Sequence, residues 1–282
     1  MLPMIKDLTS AALKDRHWRS ISKTVSLNVT NSDAVTLGDL WDRDLTTHKK
    51  AIQDVLTNAE GESALEQFFK DVKDYWSDEH FTIKFRDNMR IIVGWANLLQ
   101  MLDDHLNSLG SLKQSPYFGN VQEFQDAANT WEYRLSLLRS NFENWIELQK
   151  KWMYLKGIFK SPDIKAQLPT QTAKFKNVDN DLQSLMKRVA SKPAVLEILQ
   201  IENLPRQLDR SLNSLTVIQK ALGEYLERQR LAFPRFFFVN NDDLLEIIGN
   251  SNEPSRILSH LNKMFAGIND LKIEKEESGK MK

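Results

Sequence analysis

Five histidines and several carboxylate pairs are the side chains of this sequence whose types suit acid–base or metal chemistry. The histidines are His17, His48, His80, His105 and His260. They lie far apart, and none forms the H-E-x-x-H pattern that brings two histidines to one helix face around zinc. His105 follows Asp103-Asp104 on a predicted helix, so an acid–base or metal role is one interpretation. A helix surface or core-edge position is the favoured interpretation, and the same holds for His260 on the apolar stripe 257–261.

Other signatures of catalysis are missing from the sequence. It has no G-x-x-x-x-G-K-[S/T] phosphate loop, no G-x-G-x-x-G turn and no G-x-S-x-G nucleophile elbow. The lack of cysteine excludes disulfides, thiolate zinc sites and iron–sulfur clusters. The pairs Asp242-Asp243 and Glu276-Glu277 fall at a predicted helix start and in the tail, where capping and solvation explain them. We therefore predict no catalytic, cofactor-binding or metal-ligating residue and no cofactor in this chain.

The amino-acid composition limits the classes of binding partner that this chain can have. The 282 residues contain 38 Lys and Arg against 38 Asp and Glu, so the formal net charge is zero. The electrostatic attraction on which nucleic-acid and anionic-membrane binding depends is missing, and no apolar run approaches the ~18 residues of a membrane span. We predict neither nucleic acid nor membrane as a partner. The missing cysteines fit a cytoplasmic, reducing setting.

One heptad stripe dominates the middle of the sequence. Its members, spaced alternately four and three residues apart, are Tyr117, Val121, Phe124, Ala128, Trp131, Leu135, Leu138, Phe142, Trp145, Gln149 and Trp152. No Pro or Gly lies between 121 and 156, which predicts a single helix about 54 Å long at ~1.5 Å per residue. Large aromatic side chains favour packing against several helices. Trp131, Trp145 and Trp152 are therefore predicted to be core residues, with a ligand-stacking platform as the alternative.

Shorter patterns predict the remaining elements. Alternation at Phe81, Ile83 and Phe85, followed by a turn at 87–88, predicts a hairpin over 81–94. The predicted helices cover 36–56, capped by Thr36, then 65–76 after a break at 60–63, 95–112, 170–189 after a loop over 160–169, 204–225, 242–248, which Asn240 and Asn241 can cap, and 254–265, which Pro254 opens. The run 235–239 predicts a strand covered on both faces, with a partner-binding strand edge at 236–238 as the alternative. The tail 271–282 predicts a strand whose partner is missing, as in a fragment of a longer chain.

These elements predict an all-α fold class. The expected architecture is an elongated array of antiparallel helical bundles with one or two small β-hairpins. Sequence breaks divide it into an N-terminal bundle over 1–116 with the hairpin near 81–94, a central bundle over 117–190 with the long helix, and a C-terminal bundle over 191–282, incomplete at its end.

Eight strings are long enough to compare with known families. They are HWRSI (17–21), TLGDLW (36–41), SPYFGNV (115–121), WMYLKGIF (152–159), DIKAQLP (163–169), IQKALGEYLERQRLAFPRFFFV (218–239), DDLLEIIG (242–249) and MFAGI (264–268). In this order they resemble the linker region of dynein heavy chains, and the cytoplasmic type more than the axonemal type. The resemblance covers nearly the whole chain.

The resemblance implies a mechanical function. In that family the linker is a rod of helical bundles that lies across a ring of AAA+ modules, joins the ring to the tail, and bends and straightens as the ring hydrolyses ATP. The swing drives movement toward microtubule minus ends. The implied partners are the AAA+ ring of the same heavy chain, a second heavy chain through the tail, and the microtubule only indirectly. The implied location is cytoplasmic and cytoskeleton-associated, and the ATP site would follow this fragment, which is itself no enzyme.

A lever that bends needs a weak place, and hinges form where few contacts cross a break between elements. The breaks at 157–169 and 191–193 are candidates, as are two points inside the long helix. The candidate hinge residues are Ala128, Gln149, Gly157, Pro162, Pro169 and Pro193. The alternative function is a helical scaffold or adaptor that binds protein partners without ATP-driven work. An enzyme with an unrecognised all-α active site, which needs a cleft holding convergent titratable groups, is a third hypothesis.

Overall fold

The computed structural model describes residues 2–27, 35–36, 38–39, 45, 47–86, 89–250 and 254–268. Most of these residues are helical. The α-helices are α1 (Leu2–Asp7), α2 (Asp15–Val25), α3 (Lys49–Asp78), α4 (Trp95–Leu112), α5 (Gln122–Ile158), α6 (Pro162–Gln167), α7 (Pro169–Ser191), α8 (Leu204–Ala232), α9 (Asn241–Gly249) and α10 (Pro254–Met264). Short 3-10 helices cover Phe118–Asn120, Val195–Gln200 and Pro234–Phe238. The predicted all-α fold class is confirmed.

One antiparallel hairpin interrupts the helices, as the alternation at 81–85 predicts. Strand β1 (Thr82–Arg86) pairs with β2 (Met89–Val93), and Ile83 lies opposite Ile92. The buried side chains of the hairpin belong mainly to β2, while β1 is mostly exposed. The predicted turn at 87–88 lies outside the described residues, and so does the predicted tail strand at 271–282.

The chain divides into two compact units. Unit 1 comprises residues 1–79 and 96–137, and unit 2 comprises residues 80–95 and 138–282. The hairpin therefore belongs to unit 2. The three-bundle division predicted from the sequence breaks at 116 and 190 stays a prediction.

Unit 1 is held together by an apolar core on α2, α3, α4 and the first half of α5. Its large buried side chains include Trp18, Ile21, Ile52, Leu65, Trp76, Leu102, Leu109, Phe124, Trp131 and Leu135. Each such side chain contributes about 1.5–3 kcal/mol when it leaves water. Thr36 makes reciprocal hydrogen bonds with Asp39, its Oγ1 accepting from the Asp39 N–H at 3.2 Å. Helix α3 begins only at Lys49, after turn residues at 45 and 47–48, so the prediction of one helix that starts at Thr36 and runs to 56 is wrong. Residues 40–44 lie outside the described residues.

Helix α3 runs without interruption where the sequence predicts a break at 60–63, so that prediction is wrong. Gly61 lies inside the helix, and a Cβ built on it would stand 2.3 Å from the Tyr117 ring. The glycine therefore admits a neighbouring ring at close range and does not end the helix. From the sequence alone, a glycine that a close side-chain contact requires looks the same as a glycine that ends a helix.

Unit 2 has the hairpin, the second half of α5 and helices α6 to α10. Helices α7 and α8 pack against each other through buried apolar side chains. The buried residues of these two helices are Phe175, Val178, Leu182, Met186, Val189, Leu204, Leu208, Leu215, Ile218, Leu222, Tyr225 and Leu226. Pro169 and Pro205 lie in the first turns of the two helices, where the missing N–H costs nothing.

The predicted strand at 235–239 is wrong, and so is its predicted burial. Residues Pro234–Phe238 form a 3-10 helix in which Phe237 is 56% and Phe238 67% exposed. Pro234 holds its φ near the helical value. The Phe236 N–H then donates to the Phe233 carbonyl at 2.9 Å, a turn bond that an extended strand cannot make. The aromatic run therefore closes a turn after α8.

The short helices at the end of the described chain begin where their caps predict. The Asn240 Oδ1 accepts from the Asp243 N–H at 2.8 Å, which caps α9 as predicted. Pro254 is the first residue of α10.

Candidate functional site: a braced helix and the joint after it

Helix α5 buries the predicted aromatic stripe along its length. Its most buried members are Phe124, Ala128, Trp131, Leu135, Leu138, Phe142, Trp145, Gln149 and Trp152. The stripe up to Leu135 serves the core of unit 1, and the stripe from Leu138 serves that of unit 2. Because these tryptophans are buried among protein side chains, the prediction that they are core residues is confirmed.

The buried polar position of the stripe braces α5 against the hairpin. Gln149 Nε2 donates to the Ile92 carbonyl at 2.9 Å, and Gln149 Oε1 accepts from the Ile92 N–H at 3.0 Å. Alternate residues of a strand point their backbone groups toward opposite edges. The side-chain amide thus pairs with β2 on the edge away from β1, in the place of a third strand. Neither polar group of Ile92 is left unpaired in the core.

A second brace joins α5 to α7. Trp152 Nε1 and Lys156 Nζ both donate to Asp179 Oδ1 at 2.8 Å, and Gln183 Nε2 donates to Asp179 Oδ2 at 2.8 Å. The Lys156 ammonium also lies 4.9 Å from the centre of the Trp152 ring. This carboxylate accepts three hydrogen bonds, two of them from α5, so it ties one turn of α5 to the neighbouring helix.

An aromatic cluster fills the space beside the Gln149 brace. Trp145 is fully buried, and its ring centre lies 6.4 Å from that of Phe81 and 6.3 Å from that of Trp95. Phe142 contacts the same two rings at 5.6 and 5.3 Å, edge to face. Edge-to-face pairs add about 0.5–1.5 kcal/mol beyond their buried area. The cluster resists shear between α5 and the start of the hairpin.

The helical path breaks just after these braces. α5 ends at Ile158, and the predicted loop over 160–169 contains the short helix α6, which begins at Pro162; α7 begins at Pro169. Neither proline has an N–H to donate, so a single α-helix cannot run through both. We call residues 157–169 the joint. A hollow of about 540 Å³ lies between the joint and the residues 245–250 of α9 and its end.

Contacts of separate side chains hold the joint. Ser161 Oγ donates to the Gly249 carbonyl at 2.9 Å. Phe159 stacks on Phe175 with 5.1 Å between ring centres, and Ile164 is buried. The joint is thus held to α7 and α9 by point contacts, in contrast to the continuous stripe of α5.

Sequence reasoning missed the polar clamp of unit 1. The Lys14 N–H donates to His17 Nδ1 at 3.1 Å, so the ring proton is on Nε2, which donates to Glu62 Oε2 at 2.9 Å. Arg16 Nε donates to the same oxygen at 2.8 Å, and Lys14 and Arg16 both reach Glu66. Glu62 is buried, and it stands in the α3 stripe between Ala59 and Leu65, which is the signal that points to it.

The histidines singled out in the sequence occupy core-edge positions. His105 Nδ1 accepts from Trp76 Nε1–H at 3.0 Å, and burial lowers the pKa of the ring against the opposing charge of Asp104. His260 is buried between Asp243, at 3.4 Å, and Glu246, at 3.2 Å. Among the residues described, the structure gathers no group of three His, Asp or Glu that suits a metal ion.

Comparison with known proteins decides the family. A family model, "Dynein heavy chain, N-terminal region 2", matches residues 1–282. The chain belongs to the dynein heavy chain family. Proteins named "Dynein heavy chain, cytoplasmic" from Caenorhabditis elegans and Dictyostelium discoideum are each 41% identical to it, over 97% and 98% of its length. "Dynein heavy chain-like protein 1" of Plasmodium falciparum is 42% identical over 94%.

This dynein heavy chain segment spans 5–6% of the length of those relatives. The predicted resemblance to dynein heavy chains is confirmed, and the linker assignment within the family belongs to the proposal below. In the parts of the segment that are described, no helix has both the length and the apolar character needed to cross a membrane.

The six candidate hinge residues occupy three kinds of place in this dynein segment. Ala128 and Gln149 are buried within the continuous helix α5. Gly157, Pro162 and Pro169 are exposed in the joint. Their role as hinge residues stays a prediction.

Pro193 lies half-buried after α7, and its carbonyl accepts from the Phe81 N–H at 2.8 Å. The next residue, Ala194, forms an isolated antiparallel bridge with His80. The break at 191–193 is therefore tied to the start of the hairpin, and its role as a hinge likewise stays a prediction.

Proposed function

We propose that this chain is the mechanical linker of a cytoplasmic dynein heavy chain, a lever that bends and straightens across the AAA+ ring as ATP is hydrolysed elsewhere in the heavy chain. The supporting observation is α5, a 37-residue helix whose buried face is braced to β2 and to α7. The ring, the tail that pairs two heavy chains and the microtubule, contacted only indirectly, are the partners proposed for the whole protein. The fragment itself is proposed to have no enzymatic activity and no cofactor.

The stiffness of α5 follows from the contacts that bending the helix would break. A kink in the second half of α5 would separate Gln149 from both polar groups of Ile92, at about 1–3 kcal/mol for each unpaired buried group. It would also pull Trp152 from Asp179 and open the aromatic cluster around Trp145. These costs fall together on a few turns, so the braced part of α5 transmits force instead of absorbing it.

The bend is proposed at the joint. There the backbone leaves one long helix, forms a single short helix between Pro162 and Pro169, and enters the next long helix. Rotation there changes loop dihedrals, and the contacts that it breaks belong to separate side chains such as Phe159 and Ser161. The hollow beside Gly249 leaves room for the movement. Ala128 and Gln149 are less suited, because bending at either one must break backbone hydrogen bonds of α5 inside a packed core.

The test uses the full heavy chain that contains this segment. A donor fluorophore precedes residue 1 and an acceptor is placed on the ring. Energy transfer is measured without nucleotide, with ADP, and with ADP and vanadate. The proposal predicts that the donor–acceptor distance differs between nucleotide states. A distance that is the same in every state contradicts the lever function and leaves the adaptor hypothesis.

A proline variant tests the place of the bend. Pro162→Ala with Pro169→Ala lets helix extend through the joint, so the nucleotide-dependent distance change and the gliding velocity should fall while ATP turnover is retained. Pro205→Ala is the matched control, since Pro205 lies in the first turn of α8, away from the joint. If the control reduces the distance change as much as the double variant does, the bend lies elsewhere.

A further inference from the structure

The last turns of α5 are held from two opposite sides. Trp152 and Lys156 both donate to Asp179 of α7 at 2.8 Å. The Tyr154 hydroxyl donates to Asp242 Oδ1 of α9 at 3.1 Å. Tyr154 lies two residues from each of the other two donors, and two residues turn an α-helix by about 200°. The end of α5 is therefore tied to α7 on one side and to α9 on the other, just before the joint.

Helix α9 also reaches the joint itself. Ser161 Oγ donates to the Gly249 carbonyl at 2.9 Å, and α9 packs against α6, the helix inside the joint. A Cβ on Gly249 would stand 3.2 Å from Ser161 Oγ and 3.4 Å from Ser161 Cβ, so the glycine permits this close approach. Helix α9 thus bridges the joint: its first turn is bonded to α5 before the joint, and its last residue is bonded within the joint.

Helix α9 is anchored more firmly to α8. The Arg230 guanidinium of α8 donates to the Val239 carbonyl at 3.2 Å and to Asn241 Oδ1, on the first residue of α9, at 2.6 Å. The Arg230 side chain is 12% exposed, whereas Tyr154 is 40% exposed, so water competes more readily for the Tyr154 bond. When α5 and α9 separate, we expect α9 to stay with α8.

The Tyr154 hydroxyl is kept in its donor form. Burial and the Asp242 carboxylate raise the pKa of this hydroxyl above its ordinary value. A phenol with a raised pKa stays protonated near neutral pH and continues to donate. Release of the Tyr154–Asp242 bond therefore depends on movement of the two helices and not on titration of the tyrosine.

We propose that α9 is a latch on the joint, which Asp242 and Gly249 hold unbent through Tyr154 and Ser161. The latch opens when these two bonds break, while the Asp179 brace on the opposite side of α5 stays intact and serves as the pivot. The latch sets the population of the unbent state, because the two bonds stabilise that state alone. This inference rests on the bend that is proposed at the joint.

The test measures amide hydrogen exchange in the full heavy chain without nucleotide. The latch variant is Tyr154→Phe with Gly249→Ala, which removes one donor and places a methyl group 3.2 Å from Ser161 Oγ. Exchange over residues 159–168 should rise about twofold to tenfold, because each lost bond shifts the opening equilibrium by about that factor.

The matched control is Tyr133→Phe with Gly223→Ala. Tyr133 is exposed on α5, and a Cβ on Gly223 of α8 meets no described atom within 4 Å outside its own turn of helix. Both glycines lie in helices, so the gain in helix propensity is the same in the two variants. Equal exchange over 159–168 in the latch variant and the control overturns the latch. A rise confined to 239–243 also overturns it, since α9 would then leave α8 and stay on the joint.

Single-molecule energy transfer in the same proteins separates the latch from the lever. If the native distance depends on nucleotide, the latch variant should raise the nucleotide-free population of the bent state about twofold to tenfold. An unchanged population overturns the latch and leaves the lever function standing. A native distance that is the same in every nucleotide state contradicts the lever function instead, and the exchange over 159–168 then decides the latch by itself.

Discussion

The polar clamp of unit 1 and the Gln149 brace of unit 2 join neighbouring elements through different chemistry. In unit 1 the buried Glu62 carboxylate on α3 joins α2 through Arg16 and His17. In unit 2 the neutral amide of Gln149 joins α5 to the backbone of β2. Buried charges carry a desolvation cost that good partners must offset, whereas a neutral amide that replaces a backbone ladder bond carries much less.

This difference in chemistry predicts how the clamp and the Gln149 brace respond to solution conditions. The clamp of unit 1 uses charged groups, so its strength depends on the salt concentration. The Gln149 brace has no proton to gain near neutral pH and lies beside fully buried rings.

The largest expected effect comes from the aromatic core of unit 2. Trp145→Ala removes the central ring of the cluster and should lower the free energy of unfolding by about 3–5 kcal/mol. Tyr133→Ala is the control on the same helix; the tyrosine is 70% exposed and should cost less than about 0.5 kcal/mol. Urea unfolding followed by circular dichroism measures both. A similar loss in the two variants would mean that Trp145 does not hold the core.

The clamp of unit 1 comes next. Glu62→Ala leaves Arg16 and His17 without their buried partner and should cost about 2–4 kcal/mol. Glu132→Ala removes an exposed partner of Lys113 and should cost less than about 1 kcal/mol. Amide hydrogen exchange should rise in α2 and stay unchanged in β2. A rise in exchange confined to β2 would contradict the view that the clamp of unit 1 and the Gln149 brace act separately.

The Gln149 brace should show a smaller effect. Gln149→Leu keeps the volume but leaves the Ile92 N–H and carbonyl unpaired, at about 1–3 kcal/mol. The loss should be equal at about pH 5 and about pH 8, since no titratable proton is involved. Gln122→Leu, at an exposed position on the same helix, is the control. A loss that grows at acidic pH would show that the brace is coupled to an ionisable group.

The smallest effect is a pH dependence in unit 1. Burial lowers the pKa of His105, so the neutral ring is favoured in the folded state. The contribution is therefore complete above the unfolded pKa of about 6.5 and is lost as the pH falls through the folded pKa. Protonation at Nδ1 also removes the acceptor of the Trp76 N–H. Because the ring is half-buried and screened by water, the loss should stay below about 1 kcal/mol.

The matched variant for this prediction is His105→Asn, whose Oδ1 takes the place of Nδ1 as acceptor without titrating. Unfolding free energies of both proteins are measured from about pH 7 to about pH 5. The native chain should lose stability relative to the variant as the pH falls. Parallel curves would show that His105 contributes nothing to the pH dependence.

Local sequence patterns predict most of the fold. The heptad stripe predicts α5, the alternation at 81–85 predicts the hairpin, and Asn240 predicts the start of α9. Each of these signals arises within one or two turns of chain, where backbone geometry alone sets the side-chain direction. The predictions from the run at 235–239 and from Gly61 were wrong, since the structure at each position depends on the element that packs against it.

The candidate site was only partly accessible to the same reasoning. The sequence shows that Gln149 interrupts an apolar stripe and that 157–169 breaks the helical path. It does not show that Gln149 meets Ile92, or that Glu62 receives Arg16 and His17, because those partners are distant along the chain.

By itself, the sequence determined the helices, the hairpin, the lack of catalytic signatures and, through its similarity to relatives, the family. Only the tertiary structure decided which polar side chains meet in the core, that Gly61 serves packing, and that Phe237 and Phe238 are exposed to water. Periodicity records a residue's position on its own helix or strand, whereas burial and pairing depend on the surface that another element brings against it.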